Sequence, residues 1–341
     1  MKITVRLLLI LAIFLNACTA TKNRINETGA LKDFSISNPV LDNDFPDPTV
    51  IKVGNRYYAY ATQGRVNGKM LNIQVASSPD LQHWEIEGDA LPQKPKWANT
   101  NFWAPHVLYD KGLKKYVMFY SGESIAGDMG KCLGVAFSDK PQGPFIDKGT
   151  PLLCGQGFVN IDPMALIDPQ TGKKILYWGS GFQPIKVQEM ADDWSGFKAG
   201  SIAKAVVFPG SEKKYTSLIE GAWVDIHDGQ YYLYYSGDNC CGDKANYAVM
   251  VARSDHWFGP FQRYGEATGS GSSVILEKDS TWLAPGHNSI IKDDNGKIYI
   301  AYHAIKRSNR KLEKAIEGDR DDRRVMCIRP LEYKNGWPVI E

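Results

Sequence analysis

The chain has no large excess of charge of either sign. Its 341 residues carry 40 lysines and arginines against 38 aspartates and glutamates, a formal net charge of +2. The phosphate-seeking surplus of a nucleic-acid partner is therefore missing. Long apolar stretches are also lacking: the run from Leu7 to Leu15 falls well short of the roughly 20 residues a membrane helix needs. Cysteine is scarce, with six residues and no zinc-site spacing, and no convincing amphipathic helix pattern appears. What is abundant excludes disorder: 9 Trp, 17 Tyr, 13 Phe and 32 Gly favour half-buried strands joined by tight turns. The length suits two average domains or one large closed β fold.

The first residues read as an export signal. Met1, Lys2 and Arg6 precede the apolar run, which ends in the string LNAC at Cys18. A small residue followed at once by Cys resembles the lipobox of bacterial lipoproteins. The expectation is a signal peptide over residues 1–17, lipidation at Cys18 and a polar tether over 18–37. The protein would then sit in the periplasm or on the outer membrane or cell surface, touching membrane through its lipid alone. Setting Cys18 aside leaves Cys132, Cys154, Cys240, Cys241 and Cys327. Their scatter reads as small buried apolar residues rather than a disulfide framework. The adjacent Cys240 and Cys241 leave a strained vicinal disulfide open.

Five segments share one plan, an aromatic-rich strand after a turn: NRYYAYAT from Asn55, KKYVMFYSG from Lys114, KKILYWGSG from Lys173, GQYYLYYSG from Gly229 and GKIYIAYHA from Gly296. With Tyr58, Tyr116, Leu176, Tyr232 and Tyr299 as equivalent points, the intervals are 58, 60, 56 and 67 residues. A second phrase recurs at Val75, Val135 and Val251, where a strand leads into a Ser/Asp turn and an aromatic. A β-sandwich does not account for repetition at this period. An all-β, five-bladed β-propeller over residues 38–341 does.

In a propeller the innermost strands run along a central channel, so their starts converge although distant in sequence. Reading back from each aromatic strand gives Asp47, His106, Asp162, Glu220 and His287. Three carboxylates in one aromatic cavity shift each other's pKa, which lets one stay protonated while another stays ionised. That is the equipment of glycosidic bond cleavage.

DFPDPTV with Asp47, NIDPMALID with Asp162 and IEGAWV with Glu220, in that order, resemble the signature segments of glycoside hydrolase family 43. The resemblance covers residue 38 to the C-terminus. It implies a five-bladed propeller that inverts anomeric configuration on arabinan, arabinoxylan, xylan or some galactans. It further implies Asp47 as general base, Glu220 as general acid and Asp162 as the carboxylate that tunes and orients the acid. An inverting pair is expected about 6.5–9.5 Å apart. Related retaining families carry an RDP segment at the second carboxylate, where this chain has Asn160 and Ile161.

PGHNSI with His287 resembles the family's last-blade histidine, which implies a calcium ion held on the axis largely through water. Arg324 stands where arabinanase-like members carry a substrate-contacting arginine. WAPHV from Trp103 resembles the family's WAP segment, with His106 where many members have Asp or Glu. Trp103 and Phe45 are expected as sugar platforms, because an aromatic face covers the apolar side of a sugar ring. The CCG run at Cys240 leans the reading towards arabinose. No nucleotide cofactor is implied, and the expected state is a monomer acting on oligosaccharide or polysaccharide. The charge-rich segment from Arg307 to Arg324 is the expected loop at the channel mouth. A sugar-binding propeller without catalysis, or a protein-interaction propeller, has no need of three carboxylates at blade starts.

Overall fold

The computed structural model describes residues 36–210, 214–309 and 322–341. The expected signal, Cys18, nearly all of the tether and most of the expected mouth loop lie outside the described residues. Five antiparallel sheets follow one another along the chain, as the repeat predicts. Their inner strands are Thr49–Val53, Ala98–Asp110, Met164–Ile167, Ile219–His227 and Trp282–Lys292, opening blades 1 to 5. The aromatic-rich segments form the second strand of every blade, and the second recurring phrase forms the third strand of blades 1, 2 and 4. Among the described residues, helix is confined to Tyr264–Thr268 and a 3-10 turn at Arg307–Asn309. None of it is long and apolar enough to cross a membrane.

The aromatic richness has a packing cause. Each hydrophobic cluster joins two neighbouring blades, so the core is five wedges between sheets. Side chains such as Tyr120, Tyr177 and Tyr234 are fully buried there, and each large apolar side chain contributes about 1.5–3 kcal/mol on burial. The ring closes where the N-terminal stretch lies along blade 5. Val40 donates its N–H to Met326 O at 3.0 Å, Phe45 donates to Arg324 O at 2.9 Å, and Asn38 Nδ2 donates to Ile328 O at 2.8 Å.

One cysteine expectation changes, and one question the sequence left open is answered. Cys132 and Cys154 form a disulfide, because the strand Leu153–Gly155 folds back onto Lys131–Ser138 and sets the two residues opposite each other. The spacing of 22 residues concealed this return. Cys240 and Cys241 are free thiols rather than a vicinal disulfide, whereas Cys327 is buried as an apolar residue.

Candidate active site

The inner end of each blade is built around a residue in the left-handed conformation. Asp47 (φ 59°), Ala104 (47°), Asp162 (58°), Gly221 (61°) and Ala284 (48°) occupy this corner in blades 1 to 5. In four of them the next residue is proline. Positive φ is costly for a side chain with a Cβ, and such strain collects where a site needs it. At blades 1 and 3 the corner residue is itself a carboxylate. In blade 4 the corner is a glycine and the acid, Glu220, stands one residue before it. Gly221 donates its N–H to Asp162 Oδ2 at 2.9 Å, and a Cβ there would lie 3.3 Å from the His287 ring.

A relay of polar side chains fixes these corners, each reaching from the end of one blade's second strand to the next blade. Thr62 of blade 1 accepts the Ala104 N–H at 2.8 Å and donates to Asp47 Oδ2. Ser121 of blade 2 accepts the Asp162 N–H at 3.2 Å. Ser180 of blade 3 donates to Glu220 Oε2, and Ser236 of blade 4 accepts the His287 N–H at 2.8 Å. His303 of blade 5 completes the circle, with Nδ1 at 3.1 Å from Asp47 N and 3.2 Å from its Oδ1. Tyr247 donates to Glu220 Oε1 at 2.8 Å. Its ring packs where any side chain on Gly286 would stand.

The result is a cavity of about 340 Å³ lined by Asp47, Asp162, Glu220, Trp103, His287 and Arg324, with Phe158 and the Cys240–Cys241 pair at its wall. A roomier recess of about 730 Å³ around Tyr215, Glu266 and Glu277 gathers no comparable cluster of buried acids. Burial pushes the Asp47 pKa up, but Arg324, His287 and His303 outweigh it and hold the carboxyl well below its usual range. Arg324 Nη1 lies 3.3 Å from Asp47 Oδ1. Burial raises Glu220, and the Asp47 charge adds to it against the opposing bonds from Ser180 and Tyr247. Asp162 is pushed well above its usual value by burial, then by Glu220 and Asp47. Burial lowers the His287 pKa from its ordinary value, against the pull of the Asp47 carboxylate. One carboxylate is ionised while two are driven towards protonation, the separation that acid–base hydrolysis requires.

The family model for glycosyl hydrolases family 43 matches residues 36–338. The chain belongs to family 43. It is therefore an O-glycosyl hydrolase. It is 27% identical over 306 residues to an extracellular endo-α-(1→5)-L-arabinanase of Bacillus subtilis, covering 86% of each chain. Among solved structures, an endo-1,4-β-xylanase of Bacteroides thetaiotaomicron is 26% identical with a TM-score of 0.70, covering 88% of this chain and 96% of that one. An exo-1,5-α-L-arabinanase from a bovine ruminal metagenomic library is 25% identical with a TM-score of 0.70, covering 90% and 99%.

Two expected contacts of this family 43 hydrolase need correction. Phe45 is fully buried among Val40, Leu41 and Met326, so it presents no face to a sugar; its N–H positions the Arg324 carbonyl instead. His106 falls two residues past its blade's corner, is buried, and packs against Trp223 with ring centroids 5.2 Å apart. Burial drives its pKa down to about 3, and it does not line the pocket. Trp103 does, and its ring carries the Lys131 ammonium at 3.4 Å. The residues that sequence reasoning missed are Thr62, Ser121, Ser180, Ser236, His303 and Tyr247. All but Tyr247 stand in or just after the aromatic strands, where the repeat showed Thr, Ser, Ser, Ser and His without showing what they touch.

Proposed function

We propose that this hydrolase is exported and cleaves arabinofuranosyl linkages of arabinan or arabinoxylan by a single inverting displacement. The observation that carries the mechanism is the meeting of Asp47, Asp162 and Glu220 in one pocket, with Arg324 against Asp47 to favour its ionised form and burial raising Glu220. Glu220, protonated, gives its proton to the glycosidic oxygen as the bond to the anomeric carbon breaks. Asp47, ionised, takes a proton from the water that attacks that carbon from the opposite face. Asp162, held by Gly221 N–H, keeps the acid's field and orientation. Arg324 holds Asp47 ionised, and Trp103 covers the apolar side of a sugar ring.

The arabinanase relatives support the substrate, and the name of the Bacillus relative supports export. Comparable similarity to a xylanase supports β-xylosyl linkages as the second reading. Lipidation at Cys18 remains part of this proposal.

A calcium cage of side chains does not fit, since no group of three or more His, Cys, Asp or Glu among the described residues is arranged to hold a metal. A hydrated ion beside His287 fits better. Buried atoms of Asn288 and His303 lack protein partners, and such atoms call for water. Such an ion would add positive charge near the carboxylates.

The test is sugar release from arabinan, xylan and defined oligosaccharides, with the anomer of the first product read by NMR. Inverted arabinose products that vanish in Asp47→Ala and Glu220→Ala are expected. Full activity in either variant, or retained configuration, overturns the mechanism.

A further inference from the structure

Two thiols share the pocket with the acid and the base. Cys240 and Cys241 line the same cavity as Asp47, Glu220 and Arg324, and their sulfurs lie 2.7 Å apart. Their loop is pinned at both ends. Asp238 donates its N–H to Leu218 O at 2.9 Å, Asn246 donates to Asn239 O at 2.9 Å, and Asp238 Oδ2 accepts from Asn246 Nδ2 at 2.8 Å. The pair is thus held at the pocket wall by a built loop. Cys241 is exposed and Cys240 half-buried, so a small reagent reaches them. The bond with Cys240, helped by Arg324 and opposed by burial, brings the Cys241 thiol down to about 7. A thiolate there is a competent nucleophile at ambient pH. It also competes with Asp47 for Arg324.

We propose that Cys240 and Cys241 form a redox-labile wall of the sugar pocket, closed to a vicinal disulfide by a small disulfide oxidant and reopened by thiols. The Cys241 thiolate attacks one sulfur of the oxidant, expelling a thiolate and forming a mixed disulfide. Cys240 gives its proton to the thiolate just expelled, and its sulfur then attacks Cys241 Sγ and expels the second thiolate. Two protein thiols lose two hydrogens, and the oxidant becomes two thiols. Bonds between adjacent residues are strained, so this one is readily reduced again. Closure removes one S–H group and one thiolate from the wall, so sugar held against it is bound differently. The other cysteines are placed otherwise: Cys132 and Cys154 are already joined, and Cys327 is buried.

The inference deepens the proposed function and rests on it for the identity of the sugar. The experiment takes full-length reduced enzyme, treats half with oxidised glutathione, and maps the 240–241 peptide by mass spectrometry. It then compares kcat and KM on an oligosaccharide and on a nitrophenyl glycoside. Expected are a peptide lighter by two hydrogens and a change in oligosaccharide KM of about fivefold, what one hydrogen bond is worth. The small substrate should respond less. Cys240→Ser should show neither the link nor any difference between treatments, whereas Cys327→Ala should respond as the wild type does. No link, a link with unchanged kinetics on both substrates, or a Cys240→Ser enzyme that still responds would each overturn it. Should arabinan prove inert, the same comparison runs on whichever glycoside is cleaved, and the mass reading stands regardless.

Discussion

Blades 1 and 3 differ from blade 2 in what occupies one backbone position. All three turn at a left-handed residue followed by proline, but the residue is Asp47 or Asp162 in the first two and Ala104 in the third. The ionisable residue of blade 2, His106, comes two positions later and is buried against Trp223. Blade 5 has the same Ala–Pro corner, yet the extra Gly286 moves its histidine one place further on, and His287 Nδ1 reaches to 3.4 Å from Asp47. Phase relative to the corner therefore decides whether an inner-strand side chain meets the cluster. Presence on the inner strand does not.

The largest expected effects lie at the carboxylate blades. Asp47→Ala and Glu220→Gln should each cut kcat on arabinan by about a thousandfold, since general acid and base each contribute on that order. A nitrophenyl substrate, whose leaving group needs little protonation, should rescue Glu220→Gln but not Asp47→Ala.

Arg324→Met comes next and is read in the pH profile of kcat/KM. Without the guanidinium the Asp47 pKa rises, so the acidic limb should move to higher pH. Ser180→Ala acts on the other limb. The lost hydroxyl had stabilised the Glu220 carboxylate, so its pKa rises and the alkaline limb should also move up. A profile unmoved in either variant would break the electrostatic account of the corner.

His106 and His287 test the phase argument itself. His287→Gln should lower kcat, whereas His106→Phe should lower Tm through lost packing and the lost bond to Ala165 while leaving kcat/KM unchanged. The reverse pattern would return His106 to the site. The smallest effect on turnover belongs outside the channel: Cys132→Ser with Cys154→Ser should cost about 2–4 kcal/mol of stability in denaturant titration and spare kcat.

Much of this was legible because it is periodic. Aromatic strands at near-regular spacing specify five blades, and reading back from them reaches all three carboxylates. The counting failed in blade 2 because inner strands carry register shifts, between Trp103 and His106 there and around Gly286 in blade 5. A bulge adds a residue without lengthening the strand, and a one-residue slip turns a side chain to the other face. Phe45 was misplaced for a related reason: two residues before Asp47 in sequence, it points into the wedge between blades 5 and 1.

Local order along the chain was enough to specify the blade number, the family and the acids, because strand periodicity and short signature strings are written in neighbouring residues. Which hydroxyl holds which acid, which histidine faces the pocket, and which cysteines meet were decided by closure of the ring. Those contacts join residues tens to hundreds of positions apart, and a burial energy summed over five wedges sets their distances.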